Sequence, residues 1–441
     1  VLKIPRRLVA VKFLVTHPRR CPVCRLVSRF VARPASSAEI PSATLLQMRI
    51  VHYLKWMRLT DGGTVRAVLD WCEALATRGH EVTLLTADDM DVPVAWTKGG
   101  THLPRVIKLE LRDLFKGAVL EGSPDTPFQL LTRQSLMIAK SVIKEAHCLH
   151  LHGVWATSNL QLASLAYKLH TPYVVSPHGM LDNWSVAQNA LKKKVHLSLF
   201  GTRMLRRAGA VLCTAEGEAN QARAHFQHNK AKVLPLLFDL DPFRTPADPR
   251  RARQTFNLEP QRHCVLFLSR LSPKKGADRL LRAAALLSDI NADFILAGPA
   301  DSDEYESELK QLARELNVES AVRFVGMVRG DDKYALFRAA DVFVLPTSQE
   351  NWGFVILEAM ASGVPVITTK GVDIWPELQR SGGARIVETD VETLATAIRS
   401  LLEDRTLRLT MGQAGREWVR TTFDRENILS SYENLYQSLA H

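Results

Sequence analysis

From Met48 onward the chain alternates short apolar runs with longer amphipathic ones, and this alternation restricts it to a few folds. Short runs rich in Val, Ile and Leu read as strands buried on both faces, and the segments between them place apolar residues at helical spacing. A strand, a helix and another strand in succession lie in a parallel sheet covered by helices. In the first half, strands are expected at Ile50–Tyr53, Glu81–Thr86, Leu149–His152, Tyr173–Ser176 and Ala210–Thr214. A helix is expected over Thr64–Arg78, stopped by Gly79 where a helix C-cap prefers glycine. A Pro-rich, charged connector, Pro235–Arg253, leads to a second series at Cys264–Ser269, Asp293–Gly298, Val322–Val325, Asp341–Pro346, Val364–Thr368 and Ala384–Val387. Helices fit between them at Asp278–Leu287, Glu304–Leu316, Lys333–Ala339 and Phe354–Ala361.

A chain of 441 residues exceeds what one hydrophobic core usually supports. The expected architecture is therefore α/β, with two Rossmann-like doubly wound domains, residues 48–240 and 241–423, facing across a cleft. In such sheets ligands collect beyond the carboxyl ends of the strands, so the chemistry should lie in the loops that follow them.

The net charge of +11 looks like a nucleic-acid signature until it is located. Residues 1–47 hold nine Lys/Arg against Glu39 alone, a surplus of eight, and the other 394 residues carry only +3. No nucleic-acid partner is expected. The 1–47 stretch has no sustained period and gives way to a clean strand at Met48. It reads as an upstream start or a disordered extension, with an Arg-rich targeting peptide as the rival. Its Cys21 and Cys24 lack the further ligands a zinc site needs. Cys72, Cys148, Cys213 and Cys264 are scattered and form no disulfide framework, which fits a reducing, cytoplasmic compartment. No run of about 18 apolar residues occurs, so no membrane-spanning helix is expected.

The most informative segment is Glu350-Asn-Trp-Gly-Phe-Val-Ile-Leu-Glu358, directly after the strand at Asp341–Pro346. Gly353 stands at the helix start, and the first-turn N–H groups of Phe354 and Val355, with Asn351 just ahead, suit a diphosphate oxygen at a helix N-terminus. Glu358 follows on the order of 6 Å further along the helix at 1.5 Å per residue. Two acceptor-only carboxylates at that separation suit the hydroxyls of a sugar and of a ribose. A second segment, Ser269-Arg270-Leu271-Ser272-Pro273-Lys274-Lys275-Gly276, follows the first strand of the second series. Fixed cations at that point would stabilise the negative charge that grows on a leaving diphosphate.

Glu-x7-Glu followed by Ala359-Met360-Ala361-Ser362-Gly363-Val364-Pro365-Val366-Ile367 resembles the family 4 group of retaining glycosyltransferases (glycosyl transferases group 1), which have the GT-B fold. The resemblance extends from about Met48 to the C-terminus and is densest in the second half. It implies that Arg270 and Lys275 hold the donor diphosphate. It also implies that Gly326 and Met327, in Phe324-Val325-Gly326-Met327-Val328, lie at the base of the nucleotide. It brings the Gly62-Gly63 turn near the donor phosphate and His178, in Ser176-Pro177-His178-Gly179, near the transferred sugar. The catalytic set is thus Arg270, Lys275, Glu350 and His178. The donor-binding set is Glu358, Gly63, Asn351, Gly353, Phe354, Val355, Gly326 and Met327. The helix expected over Arg425–Leu439 resembles the family's last helix, so residues 424–441 should cross back to the first domain. The family's glycines ahead of a further glutamate are absent from Gly371-Val372-Asp373-Ile374-Trp375-Pro376-Glu377, so no role falls to Glu377.

The function implied is metal-independent, hexosyltransferase-like transfer from a nucleotide-diphosphate sugar, with no cofactor, to a glycan or glycolipid acceptor in polysaccharide or glycolipid synthesis. A nucleotide-sugar epimerase and a non-catalytic sugar-nucleotide-binding protein are the alternatives. A nicotinamide dehydrogenase is disfavoured, since no G-x-G-x-x-G follows a strand. Asp239-Leu240-Asp241 lies in the connector and reads as loop, so no metal site is expected. Lys192–Lys194 with Arg203, Arg206 and Arg207, interleaved with apolar residues, reads either as a solvated helix face or as a peripheral contact with an anionic inner membrane face.

Overall fold

The computed structural model describes residues 47–113, 129–182, 197–226 and 228–440. The expectations for residues 1–46 and for Lys192–Lys194 fall outside the described residues. From Gln47 onward the chain forms one compact unit.

Within that unit the strands, in chain order, are β1 (Arg49–Tyr53), β2 (Glu81–Thr86), β3 (Arg105–Lys108), β4 (Leu111–Asp113), β5 (Gln129–Leu131), β6 (Cys148–His152), β7 (Tyr173–Ser176), β8 (Ala210–Cys213) and β9 (Ala231–Val233). They continue with β10 (His263–Leu268), β11 (Ala292–Ala297), β12 (Val322–Gly326), β13 (Val342–Leu345), β14 (Val366–Thr369) and β15 (Ala384–Val387). Two parallel sheets result, of seven strands in the order β3-β2-β1-β6-β7-β8-β9 and of six in the order β12-β11-β10-β13-β14-β15, while β4 and β5 form a small antiparallel pair. Each large sheet is doubly wound, with its order reversing between β1 and β6 and between β10 and β13.

The central strands match the expected ones to within a residue or two because both of their faces are buried. In β1, Ile50 joins one hydrophobic cluster while Val51 and Tyr53 join the other, so every position after Arg49 is enclosed. The edge strands β3 and β9 were not foreseen. They are partly exposed, carry Arg105, Lys108 and Lys232, and so lack a continuous apolar run. The connector also differs from the expected loop. Asp241–Phe243 is a 3-10 turn, and Pro249–Thr255 is a helix whose N-cap Asp248 accepts from the Arg250 N–H, with proline pre-set for the first turn.

The last helix, Arg425–Ala440, packs against the first sheet. Its Glu433 carboxylate lies 2.9 Å from both the Arg78 guanidinium and His80 Nε2, and the Tyr436 hydroxyl is 2.8 Å from His150 Nδ1. Tyr432 and Tyr436 are fully enclosed, which ties the chain end to the first half by burial as well as by charge. The four described cysteines are buried and free. Burial pushes the Cys148 and Cys264 thiols up to about 12, so they behave as small apolar residues.

Candidate active site

Both switch points open onto the same cleft, and the loops flanking them carry most of the residues singled out from sequence. In the second sheet these are the loop after β10, residues 269–276, and the loop after β13, residues 346–353. Gly276 locks them together. Its φ of +78° is left-handed, and a Cβ there would stand 2.3 Å from the Pro346 carbonyl oxygen, so only glycine fits. Ser348 N–H donates to the Lys274 carbonyl at 2.8 Å, and Arg279 Nη1 donates to the Pro346 carbonyl at 2.6 Å.

This junction places Lys275 against Glu350. The ammonium donates to Glu350 Oε2, the lysine is buried, and the glutamate is held through its N–H to the Gly371 carbonyl at 2.7 Å. A cation and an anion fixed side by side at the end of two strands avoid the cost of an unpaired buried charge. Arg270, on the same loop, is not drawn into that pair. Its side chain is 66% exposed and lies 3.4 Å from Asp301. Lys274 is half-buried, and burial lowers its pKa.

Helix Phe354–Ala361 begins where the sequence placed it. Its N-cap is Gly353 at φ +69°, no side chain caps the first turn, and the Phe354 and Val355 N–H groups head the helix. Glu358, about one turn in, accepts from Lys333 Nζ at 2.7 Å, both side chains being about one-fifth exposed. Lys333 was not singled out from sequence, since one lysine near a helix start looks like any solvated residue. Gly326 and Met327 end β12 at the surface, Met327 being 52% exposed.

The first half meets these loops from the opposite side. A Cβ on Gly63 would lie 3.7 Å from the Phe354 ring, and one on Gly179 would lie 2.9 Å from Asn351 Cβ. Gln349 Nε2 donates to Asp182 Oδ2 at 2.6 Å, and Gln221 Nε2 donates to Asp373 Oδ1 at 2.7 Å. Glu218, fully enclosed, accepts from the Gly179 N–H at 2.7 Å and from Thr214 N–H and Oγ1 at 2.6 and 2.8 Å. Burial raises the carboxyl pKa of Glu218, and it pushes Asp373 up to about 7, with the nearby Glu218 and Asp182 adding to the rise. Glu377 serves the same junction, its Oε1 accepting from the Glu216 N–H at 2.8 Å. Nothing in the sequence pointed to this set, because the partners of each carboxyl come from distant loops.

Behind His178 lies a column of imidazoles. His152 Nδ1 is 3.0 Å from His178 Nε2, and His152 Nε2 is 3.0 Å from His52 Nδ1. His150 stands beside them, bonded to the Tyr436 hydroxyl and, at 2.8 Å, to Ser176 Oγ. The origin is register: His52 pairs with His150 between β1 and β6, and His150 and His152 are two residues apart on one strand face. Among the described residues, His52, His150 and His152 are the group with metal-ligand atoms within 4.8 Å of one another. Tyr436 and Ser176 take both His150 nitrogens, and His52 and His178 take both His152 nitrogens, so of the three rings only His52 Nε2 is left unengaged, too few donors to hold a metal. Asp241 is exposed and paired with Arg244 at 2.9 Å, and Asp239 caps its own turn.

The arrangement thus gathers Lys275, Glu350, Asn351 and Gly353 on the loops after β10 and β13, where Gly63 and Gly179 of the first half approach Phe354 and Asn351. Glu358 follows about a turn later on the helix, and Arg270, Gly326 and Met327 are exposed.

Comparison with known proteins bears on the family and the fold. Residues 248–418 match the family described as glycosyl transferases group 1, and residues 62–237 match the glycosyl transferase 4-like domain. The chain is 36% identical over 354 residues to a D-inositol 3-phosphate glycosyltransferase of Mycobacterium sp. (strain JLS), covering 77% of this chain and 78% of that protein. A D-inositol 3-phosphate glycosyltransferase of Mycolicibacterium gilvum is 28% identical over 386 residues, covering 84% and 85%. Among solved structures, HepE of Anabaena in complex with UDP superimposes with a TM-score of 0.72 at 20% identity, covering 89% of this chain and all of that one. That likeness concerns the fold, which is GT-B.

Proposed function

Because the chain belongs to the glycosyl transferases group 1 and is a glycosyltransferase, we propose that it moves a sugar from a nucleoside-diphosphate donor to a glycan or glycolipid acceptor with retention of configuration. The observation that carries this reading is the pairing of Lys275 with Glu350 on the wall that faces His178. HepE was solved with UDP and with UDP-glucose, which supports a nucleotide-sugar donor for this chain too.

In this reading the diphosphate lies on Lys275 and the N–H groups of Phe354 and Val355, with Arg270 swinging in from the mouth. The charge that builds on the leaving diphosphate is met by groups already in place, which lowers the barrier without reorganisation. Glu358 takes the ribose hydroxyls and Glu350 the hydroxyls of the transferred sugar, with His178 opposite. The donor phosphate accepts the acceptor's proton, so the protein chiefly positions reactants and stabilises charge. No metal is required, since the cations and the helix start neutralise the diphosphate.

Contact with an anionic membrane surface belongs to the same reading. No helix among the described residues is long and apolar enough to cross a membrane. On helix Thr202–Arg207, Met204 and Leu205 are buried while Arg203 and Arg206 face outward, and Phe200 just before it is half exposed. Phe200 also borders a groove of about 680 Å³ rimmed by Arg133, Lys140 and Lys168. Apolar floor and basic rim together suit lipid headgroups.

The test is release of nucleoside diphosphate from a panel of nucleotide sugars, with and without glycan and glycolipid acceptors. Acceptor-dependent release is the expected result. Conversion of the donor without any acceptor would contradict transfer.

A further inference from the structure

Each nitrogen-to-nitrogen contact in the column His52–His152–His178 holds one proton, because two bare lone pairs repel and two N–H groups clash. The three rings therefore act as one unit with two neutral arrangements. In one, every proton sits on Nε2, so His178 offers a bare Nδ1 and the far end of the column is an N–H on His52. In the other, every proton sits on Nδ1, so His178 offers an N–H and the far end is a lone pair.

The far end decides between them. His52 is wholly buried, and its Nε2 has no hydrogen-bond partner among the described residues. Orphaned buried N–H groups are rare in native proteins, more so than under-satisfied acceptors. The arrangement that leaves a lone pair on His52 Nε2 is the one this surrounding tolerates. At the near end, His178 Nδ1 has no partner among the described residues and is not one of the buried unpaired atoms, so it is the ring nitrogen left for a ligand. His178 is held in place by its φ of +54° and by Trp71, whose ring centroid lies 6.1 Å from its own.

We propose that His52 and His152 are positioning residues that fix His178 as a neutral hydrogen-bond donor, through Nδ1, toward the ligand in the cleft. The proposal rests on the reading that puts His178 beside the transferred sugar. Sugar hydroxyls and phosphate oxygens both accept such a bond, whereas a lone imidazole would divide its time between donating and accepting. Burial keeps the column neutral, lowering His178 to about 4 and His52 to about 3. His150 takes no part, since Tyr436 and Ser176 use both of its nitrogens.

The proposal is tested on the full chain by two-bond ¹H–¹⁵N spectra of histidine-labelled protein, with His178→Ala assigning the ring. His178 protonated on Nδ1 is expected, and a ring protonated on Nε2 in the wild-type protein would overturn the proposal. Turnover then separates a tautomer role from simple packing. His52→Leu removes the end of the column, and the loss of one oriented hydrogen bond should lower kcat by about tenfold. His52→Asn places an amide N–H where Nδ1–H stood and should recover most of that loss. In the His178→Ala background, His52→Leu should cost nothing further. Equal losses in both backgrounds, or no recovery with asparagine, would overturn the column's role while leaving the site assignment intact. A His178→Ala protein that turns over like wild type would instead remove the site reading, and this inference with it.

Discussion

Asn351 Nδ2 donates to Asp373 Oδ2 at 3.1 Å and Gln221 Nε2 donates to Asp373 Oδ1 at 2.7 Å, so one buried carboxyl group joins the residue after Glu350 to the first half. The donor side of the cleft is thereby tied to the first half through a group whose protonation matters.

Burial holds the Asp373 carboxyl at about 7, against about 3.9 for an aspartate in an unfolded chain. Between those values the folded protein keeps a proton that the unfolded chain releases. The stabilisation from Asp373 is therefore full below about pH 4 and is lost as the pH rises to about 7. Asp373→Asn removes this dependence. Melting temperatures from pH 5 to pH 8 should show the variant gaining on wild type as the pH rises. A difference that stays flat or falls would contradict the protonation assigned to Asp373.

Metal independence gives a second test. Lys275 and the start of helix Phe354–Ala361 supply the positive charge a diphosphate needs. Turnover should survive excess EDTA, and an absolute requirement for magnesium would contradict this account.

The membrane surface gives a third. Arg203 and Arg206 face outward beside Phe200. Co-sedimentation with anionic vesicles should fall steeply with salt, because exposed charges are screened over about 8 Å at physiological ionic strength. Exchanging both arginines for glutamate should abolish it. Equal binding to neutral and anionic vesicles would argue against a basic docking face.

The sequence revealed the α/β class, the central strands of both sheets and the helix Phe354–Ala361, because those segments are buried on both faces or capped by glycine. It did not reveal β3 and β9, where one exposed face breaks the apolar run. The pairing of the two walls was also illegible. Glu218, Asp373 and Lys333 look like ordinary surface charges until folding brings Gly179, Gln221 and Glu358 to them. His52 was legible in principle: with β1 and β6 adjacent, it falls opposite His150 and on the same face.

The central claim gives distinct roles to two similar carboxylates. Glu350 stands ahead of the helix, paired with Lys275, and Glu358 stands within it, paired with Lys333. Calorimetric titration of Glu350→Ala and Glu358→Ala with the nucleoside diphosphate released in turnover, set beside their turnover numbers, tests the claim directly. Loss of a hydroxyl's charged partner costs about 1–3 kcal/mol or more. Glu358→Ala should therefore weaken the free diphosphate and the intact donor alike, since both carry the ribose. Glu350→Ala should leave diphosphate affinity nearly unchanged and lower transfer by roughly tenfold for each 1.4 kcal/mol of lost transition-state stabilisation. Wild-type binding and turnover in both variants would contradict the assignment, and the reverse pattern would mean that the donor lies the other way round in the cleft.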